Sequence, residues 1–411
     1  MDATPTLSAD SSDDESHWNF TRLIQPVDPQ IFEKENWERN PLHIARGNAE
    51  YFSDLLTLDD VDSLLSFSGS SLDGILIAKN DQEIPAASLG ASGPHSKVNN
   101  LEALYRHYRD GATLVLNGLE RRWPALARLC DALTAEFSAR FLANVYVTPG
   151  GNEQGFGRHY DNHDVFIAQV HGTKRWSLYH SPQHLPMHVQ DRRNTDTTGP
   201  EQEIMLAPGD LLYLPRGTVH AATSTDTTSV HLTIGVLPIL WADTLQQALA
   251  RLIADDVRFR TALPIGFAHT PALHAQVRDG FTELIDILIT SLSAQDLLQE
   301  SLRKAQSISA PQLRHHLAEL DALPSIGLDT PVRRRTAASP LVTAADTAVC
   351  LHFHNKTLRL PMSLSAALRY VVSQGDAHFC ARAIPGDLTA PQRVNLIRQL
   401  VREGLLTTPR S

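Results

Sequence analysis

The chain has 411 residues and a formal net charge of −10. This acidic balance argues against general binding to the phosphate backbone of nucleic acids. No apolar run reaches the roughly 18–20 residues of a membrane span, and the N-terminus shows no basic-then-apolar signal sequence. The three cysteines form no Cys-x-x-Cys pair, which is typical of a reducing compartment. We therefore expect a cytoplasmic protein of roughly two or three domains that does not enter a membrane.

The N-terminal half begins with a polar stretch and then becomes periodic. Residues 1–16 are acidic and lack an apolar pattern, so a disordered tail is expected there. Apolar spacing predicts helices near residues 55–65, 101–108 and 123–137, and a strand over 112–116.

The motif with the clearest chemistry is His159-Tyr160-Asp161, which a later histidine, His220, accompanies. Side chains two residues apart on a β-strand face the same way, so His159 and Asp161 would share one face. A histidine on a neighbouring strand would complete a triangle. Two imidazoles and one carboxylate leave coordination positions open, which is the pattern of non-haem Fe(II) oxygenases.

Short predicted strands surround this motif. Residues 164–170 predict a strand, and a turn then leads to a returning strand over 174–179. We expect this hairpin to bring Lys174 or Arg175 back toward the metal face. The alternating register places these two side chains on opposite faces of the strand.

A second series of turns and strands leads to His220. Residues 208–220 predict a turn, a short buried strand and a second turn, and residues 229–234 predict another strand. Many short strands joined by Gly and Pro turns favour a small β-barrel or jelly roll, whose mouth is a natural ligand site.

The motifs together resemble the JmjC/cupin ribosomal oxygenases, which are Fe(II)- and 2-oxoglutarate-dependent hydroxylases of ribosomal-protein side chains. The resemblance implies an α+β protein: a double-stranded β-helix (the cupin/JmjC jelly roll), a helical dimerisation region and a C-terminal winged helix. It also implies that Fe(II) and 2-oxoglutarate are the cofactor and co-substrate. The runs that carry it are 144–149, 154–156, 159–161, 172–176, 208–217 and His220.

Site residues follow from this resemblance position by position. His159, Asp161 and His220 would be the iron ligands, and Lys174 would pair with the far carboxylate of 2-oxoglutarate. Asn144 and His231 would be further polar residues of the co-substrate pocket. Arg158 departs from the family, which usually has Pro there, and this departure bears on the substrate. The remaining histidines of this region are expected in loops or at the surface: His163, His171, His180, His184 and His188.

The C-terminal half is helical and then mixed. Apolar stripes at helical spacing over 245–253, 281–292 and 297–302 predict helices that bury against the barrel or against a second copy of the chain. The expected boundaries are a catalytic domain over 17–240, a helical dimerisation region over 241–323, a linker over 324–341 and a winged helix over 342–411.

Three functions stay open on the sequence. The first is an oxygenase that hydroxylates an arginine or histidine side chain in a ribosomal protein or other polypeptide. The second is a tailoring hydroxylase that acts on a ribosomally made precursor peptide or a small molecule. The third is a DNA-binding regulator with a non-catalytic cupin. From residue 342 onward the chain has eight Lys or Arg against four Asp or Glu, which is a small surplus for a phosphate-binding surface.

Overall fold

The computed structural model describes residues 18–67, 74–85, 96–187, 198–308, 313–335, 340–345 and 347–408. The tail expected over 1–16 lies outside these residues. The chain divides into two compact units, Met1–Leu237 and Pro238–Ser411.

Five helices of the first unit pack on a sheet of eight strands. The Oδ1 atom of Asp28 accepts hydrogen bonds from the backbone N–H groups of Gln30 and Ile31, and a proline occupies the first helical position, so the second helix is capped. The helices are α1 (Phe20–Ile24), α2 (Pro29–Glu35), α3 (Leu58–Phe67), α4 (Ser96–Arg109) and α5 (Pro124–Phe137).

Eleven antiparallel strands of the first unit form two sheets. The larger sheet has the order β1-β9-β6-β11-β5-β4-β2-β3, and the smaller has the order β10-β7-β8. The strands are β1 (Leu42–Ile44), β2 (Ile75–Lys79), β3 (Gln82–Ile84), β4 (Thr113–Leu116), β5 (Arg140–Thr148), β6 (Asp164–His171), β7 (Lys174–Tyr179), β8 (Gln202–Leu206), β9 (Leu211–Leu214), β10 (Val219–Ser224) and β11 (Ser229–Leu237).

The two sheets face each other across an apolar core. Val165 and Leu212 of the larger sheet belong to one buried cluster with Trp176 and Leu206 of the smaller sheet. The other face of the larger sheet packs on the helices, so β6 is buried on both faces from Asp164 to Gln169. This two-sheet arrangement confirms the predicted JmjC/cupin type of fold.

The prediction that β6 and β7 pair with each other as a hairpin is wrong. The two strands begin and end close to the predicted positions, but β6 pairs with β9 and β11, whereas β7 pairs with β8 and β10. The turn at Gly172 therefore crosses from one sheet to the other. Gly172 has φ +60°, and a Cβ atom there would collide with the carbonyl oxygen of Thr228, so only glycine fits this crossing.

The second unit holds the remaining six helices and five strands of the described chain. No helix in the described part of the chain is long and apolar enough to cross a membrane. The elements are α6 (Trp241–Asp255), α7 (His274–Ser291), α8 (Ala294–Ile308), α9 (His316–Ala322), β12 (Arg333–Arg334), β13 (Leu341–Ala345), β14 (Ala348–Phe353), β15 (Lys356–Pro361), α10 (Ser365–Ser373), α11 (Ala390–Arg402) and β16 (Leu406–Thr407).

The linker was expected over residues 324–341, but the first part of this segment, residues 324–335, is folded in the structure. Ile326 and Val332 are buried in one apolar cluster with residues of α10 and α11. The strand β12 pairs with β16, close to the end of the described chain. Segments with buried apolar side chains and a strand partner are part of a folded core, so residues 324–335 are not a linker.

The apolar stripes predicted on the helices of the second unit lie largely at the surface. On α7, Phe281, Ile285 and Ile289 are 51%, 54% and 68% exposed. Leu245 of α6 and Leu298 of α8 are about half exposed as well. Packing within this chain therefore leaves these helices with a large uncovered apolar surface.

Candidate metal centre and cavity

The two candidate histidine ligands are joined through their backbones. The N–H of His159 donates to the carbonyl of His220 at 3.1 Å, and the N–H of His220 donates to the carbonyl of His159 at 2.8 Å. His220 lies in β10, but His159 and Asp161 precede β6, so the expectation that the His-x-Asp motif lies within a strand is wrong. The isolated bridge between the two histidines gives the motif its extended geometry instead.

Both imidazole rings are oriented by carbonyl groups of their own segments. The Nδ1 atom of His159 lies 2.9 Å from the carbonyl oxygen of Gly157, and Nδ1 of His220 lies 2.8 Å from that of Thr218. A carbonyl oxygen only accepts, so each Nδ1 carries the hydrogen and each Nε2 keeps a free lone pair. This is the tautomer in which Nε2 binds a metal.

The carboxylate of Asp161 completes the cluster. Its Oδ2 atom lies 3.9 Å from Nε2 of His220, and one ligand atom from each of His159, Asp161 and His220 lies within 4.8 Å of the others. Burial, with the nearby His159 ring adding to it, lowers the pKa of His220 to about 4. The ring is therefore neutral at physiological pH, which is the state that coordinates a metal.

A buried ion pair braces the two segments that carry these ligands. The Nη1 atom of Arg216 donates to Oδ2 of Asp164 at 3.0 Å, and Tyr213 donates to Oδ1 of Asp164 at 2.7 Å. The next residue, Gly217, donates its N–H to the carbonyl of Asp161 at 2.9 Å. Because Asp164 follows the His-x-Asp motif and Arg216 precedes His220, these contacts fix one segment against the other.

The triad lines a cavity of about 260 Å³ in the first unit, and Lys174 lies in its wall. Lys174 is 4% exposed, whereas Arg175 is exposed. In the described part of the chain the ammonium group of Lys174 makes one hydrogen bond, to Oγ1 of Thr148 at 2.9 Å, and no ion pair. Burial lowers its pKa to about 7.

Two more polar groups of the cavity wall have no partner. Neither Nε1 of Trp176 nor Nδ1 of His231 is hydrogen-bonded within the described residues. His231 is fully buried, its ring stacks on Tyr146 at 4.8 Å, and burial, together with the charge of Lys174, lowers its pKa well below the usual value. Lys174, Trp176 and His231 thus offer unsatisfied polar groups to one ligand.

Asn144 also lines the cavity, but part of its side chain has a structural role. Its Oδ1 atom accepts the backbone N–H of Gly118 at 3.0 Å, which holds the turn before α5. The sequence did not lead us to predict Thr113, Tyr146 and Trp176 as cavity residues, or Thr148 as the hydrogen-bond partner of Lys174. Alternation along β5 and β7 from Asn144 and Lys174 would have pointed to Tyr146, Thr148 and Trp176.

One histidine that was expected in a loop or at the surface does lie in the bend before β6, and there it also lines the cavity. His163 is half-buried beside the triad, and the alternation of His159, Asp161 and His163 was a signal for it. His171, His180 and His184 are exposed, as expected, and His188 lies outside the described residues.

Arg158, which precedes the first candidate ligand, is held at the surface of the barrel. Its guanidinium lies 3.9 Å from the centre of the Tyr179 ring, and Nη1 donates to the carbonyl of Thr198 at 3.0 Å. The residue therefore fastens the segment after β7 to the His-x-Asp motif.

Known proteins share this chain's motifs and fold. A family model described as the JmjC domain matches residues 119–244. Ribosomal oxygenase 2 of Rattus norvegicus is 31% identical over 318 residues, which cover 73% of this chain and 65% of that protein. Ribosomal oxygenase 1 of Gallus gallus is 30% identical over 291 residues, which cover 66% of this chain and 47% of that protein.

This chain contains a region, residues 119–244, that matches the JmjC domain, and it is similar to the ribosomal oxygenases. The ribosomal oxygenase YcfD of Escherichia coli, solved in complex with cobalt and 2-oxoglutarate, has the same fold, with a TM-score of 0.53, 16% identity and coverage of 94% of this chain and 99% of that one. The JmjC chain spans about half to two thirds of the length of these two ribosomal oxygenase relatives.

Proposed function

We propose that this JmjC protein is an Fe(II)- and 2-oxoglutarate-dependent oxygenase that hydroxylates a side chain of a ribosomal protein. The observation that carries the proposal is the buried, unpaired ammonium group of Lys174 in the same cavity as the His159, Asp161 and His220 cluster. A buried cation without an anion is costly, so the site is complete only when an anionic ligand binds.

The cavity fits both groups that this reaction needs. Two imidazoles and one carboxylate make a donor set suited to Fe(II), with open positions for co-substrate and O₂. 2-Oxoglutarate carries a carboxylate that can pair with Lys174. Beside it, Nε1–H of Trp176 can donate a hydrogen bond, and Nδ1 of His231 can donate or accept one. Relatives with the printed names ribosomal oxygenase 1 and 2, and YcfD with 2-oxoglutarate, support this assignment.

Each group of this chain then has one task. Bound iron with 2-oxoglutarate would supply oxidative chemistry that side chains lack. His159, Asp161 and His220 would hold the metal on one face, and Lys174 would fix the orientation of the co-substrate. The apolar walls from Val165, Ile167 and Leu142 would keep water from the reacting carbon.

The cavity favours an uncharged target side chain. Among the described residues that line it, the one carboxylate is Asp161, which is assigned to the metal. A guanidinium would enter without a partner, whereas an imidazole can be buried neutral. Relatives of this chain include a protein of Drosophila mojavensis named as a bifunctional lysine-specific demethylase and histidyl-hydroxylase, and the histidyl part of that name fits an uncharged target. We therefore favour histidine over arginine as the target.

The direct test uses purified protein loaded with Fe(II). Proteins extracted from ribosomes of a strain that lacks this gene are incubated with 2-oxoglutarate and analysed by mass spectrometry. We expect succinate formation and the gain of one oxygen atom on a histidine-containing peptide. Hydroxylation of a small molecule or precursor peptide, with ribosomal proteins unchanged, would favour the tailoring alternative.

The exposed apolar faces of α6, α7 and α8 support a second proposal, that these helices form a homodimer. Phe281, Ile285 and Ile289 lie on one face of α7 because they are spaced by four residues. A second copy of the chain offers a matching apolar surface.

The C-terminal part, residues 342–411, supports the proposal of a winged helix. The three-stranded sheet of β13, β14 and β15 packs with α10 and α11 around one core. Several of its arginines bind the protein itself: Arg398 donates to the carbonyl of Ile326, and Arg382 pairs with Asp329. Because these cations already contact other groups of the protein, we assign the domain to structural or protein contacts rather than to DNA binding.

A cytoplasmic location of the protein stays a prediction.

A further inference from the structure

His163 is a cavity residue that the proposed reaction does not yet use. It lies two residues after Asp161 and lines the same cavity. The cluster of ligand atoms in the described chain contains His159, Asp161 and His220, and His163 is not part of it. The ring is therefore close to the metal position without being a candidate ligand.

The ring nitrogens of His163 make no hydrogen bond or ion pair with any described residue. This contrasts with His159 and His220, whose Nδ1 atoms are both bound by carbonyl groups. A half-buried imidazole with its hydrogen-bonding groups free can bind a ligand that enters the cavity.

The neighbouring strand makes room for this ring. A Cβ atom at Gly235 of β11 would lie 2.9 Å from Cδ2 and 3.1 Å from Nε2 of His163, so the imidazole occupies the space that a side chain would need. Glycine inside a strand costs about 0.5–1 kcal/mol relative to alanine and often marks a close approach. Gly235 thus permits the observed position of His163.

The position of His163 separates it from the co-substrate anchor. Gly235 and His231 both lie on β11, four residues apart, which corresponds to about 13 Å at 3.3 Å per residue. His231 is close enough to Lys174 for that ammonium to lower the pKa of His231, so it marks the co-substrate end of the cavity. His163 marks the other end.

We infer that His163 hydrogen-bonds a polar group of the target residue and so sets the specificity of the enzyme for its polypeptide substrate. The inference rests on the proposed oxygenase function. The end of the cavity that holds Lys174 is taken by the co-substrate, which leaves the His163 end for the side chain of the substrate.

The first test compares His163→Phe and His163→Gln with the wild type. The probe is the protein mixture extracted from ribosomes of a strain that lacks the gene, and the readout is KM and kcat for its hydroxylation. One lost hydrogen bond is worth about 1 kcal/mol, so kcat/KM of His163→Phe should fall roughly five- to tenfold, mainly through KM. His163→Gln keeps a donor and an acceptor and should recover part of the loss.

Binding measurements separate this role from a role at the metal. The Kd values for Co(II) and for 2-oxoglutarate should stay within roughly twofold of the wild type in both variants, because the proposal assigns His163 to the substrate and to neither of these ligands. His171→Phe, at an exposed histidine of β6, is the matched control and should leave kcat/KM unchanged.

The second test uses Gly235→Ala, which displaces the ring without altering any candidate ligand. Alone it should lower kcat/KM about as much as His163→Ala. When His163 is already replaced by alanine, Gly235→Ala should not lower kcat/KM further, because the imidazole that it would displace is absent. Such non-additivity would show that the two residues act through the same contact.

The outcomes decide between the two proposals. The substrate role would be overturned if the His163 variants lost affinity for Co(II) or 2-oxoglutarate by the same factor as they lost kcat/KM. It would also be overturned if the effects of Gly235→Ala and His163→Ala on kcat/KM were additive. A wild-type enzyme that turns over 2-oxoglutarate but hydroxylates none of the ribosomal proteins would also overturn it, while the oxygenase chemistry would stand. Absence of iron-dependent 2-oxoglutarate turnover in the wild type would instead reject the proposed function.

Discussion

The cavity of the first unit and the surface of α6, α7 and α8 depart from ordinary burial in opposite ways. The cavity buries Lys174 and His231, which are polar groups that normally stay in water or find partners. The helices expose Phe281, Ile285 and Ile289, which are apolar groups that are normally covered. Each departure agrees with one of the proposed partners: a metal and a small anion for the cavity, and an apolar protein surface for the helices.

The comparison also shows why the two regions respond differently to substitution. In the proposed site each polar group of the cavity would have a distinct task, so one substitution should remove one function and leave the fold. On the helices the apolar side chains share one task, so a single charge should disturb assembly as a whole.

The largest effect is expected at the candidate metal ligands. Asp161→Ala should abolish 2-oxoglutarate turnover, because it removes the one carboxylate of the described cavity, while the thermal unfolding midpoint changes little. Succinate formation by the iron-supplied variant measures this. Asn162→Ala, at the exposed neighbouring position, is the control, and full succinate formation by Asp161→Ala would contradict the triad.

The co-substrate anchor should give the next largest effect. Leaving a buried charge without its partner typically costs about 3–5 kcal/mol, so Lys174→Ala should raise the Kd for 2-oxoglutarate by about two or more orders of magnitude. Arg175→Ala should have a smaller effect because that side chain is exposed. Isothermal titration calorimetry of both variants with 2-oxoglutarate measures the two Kd values. A larger loss of affinity for Arg175→Ala than for Lys174→Ala would reject Lys174 as the anchor.

The helical surface is tested by a single charge. Ile285→Asp places a carboxylate at the centre of the exposed apolar face and should dissociate the proposed dimer, which light scattering at micromolar concentration would detect as a halved mass. Gln276→Asp, which is exposed on the opposite face of the same helix, should leave the mass unchanged. A wild-type monomer under these conditions would refute the assembly.

A smaller effect is expected from pH. The pKa of Lys174 is lowered to about 7 in the protein without co-substrate, and a bound carboxylate would raise it. Between these two pKa values binding takes up one proton, so the Kd for 2-oxoglutarate should rise by up to about tenfold per pH unit above pH 7. Lys174→Gln should abolish this slope, and an unchanged slope in that variant would assign the proton to another group.

The same burial predicts a pH dependence of folding. For Lys174 the unfolded chain binds more protons than the folded chain between pH 7 and its usual pKa of 10.5, so this residue makes the free energy of unfolding rise with pH in that window. For His220 the pKa falls from 6.5 to about 4, so stability decreases as pH drops from 6.5 toward 4. Chemical denaturation of the metal-free protein at several pH values would measure both, with Lys174→Met removing the alkaline component.

Local patterns predicted the elements of the first unit well. Alternation and apolar spacing placed β6, β7 and α5 within about one residue of their observed bounds, because side-chain period depends on the backbone alone. The candidate metal motif could also be predicted from the sequence, since two histidines and one aspartate in the pattern of His159, Asp161 and His220 are typical of a metal site.

What the sequence could not supply was the choice of tertiary partners. Adjacent strands usually pair, yet β6 and β7 join different sheets, and only the close approach of Gly172 to Thr228 explains it. Val332 gave no local sign that it would be buried in the C-terminal core. The sequence placed His163 in a loop correctly, but it could not show that this residue lines the cavity, because its contact with Gly235 spans 72 positions of the chain.

The hydrogen bonds that orient the imidazoles of His159 and His220 have a consequence for metal selection. Carbonyl groups of Gly157 and Thr218 hold both rings before any metal arrives, so little rearrangement accompanies loading. A preset site of nitrogen and oxygen donors binds divalent ions in the general order of increasing affinity from manganese through iron and cobalt to nickel. Because the order of affinity alone would not select iron over cobalt or nickel, loading of the site with Fe(II) should also depend on the supply of each metal where the chain folds.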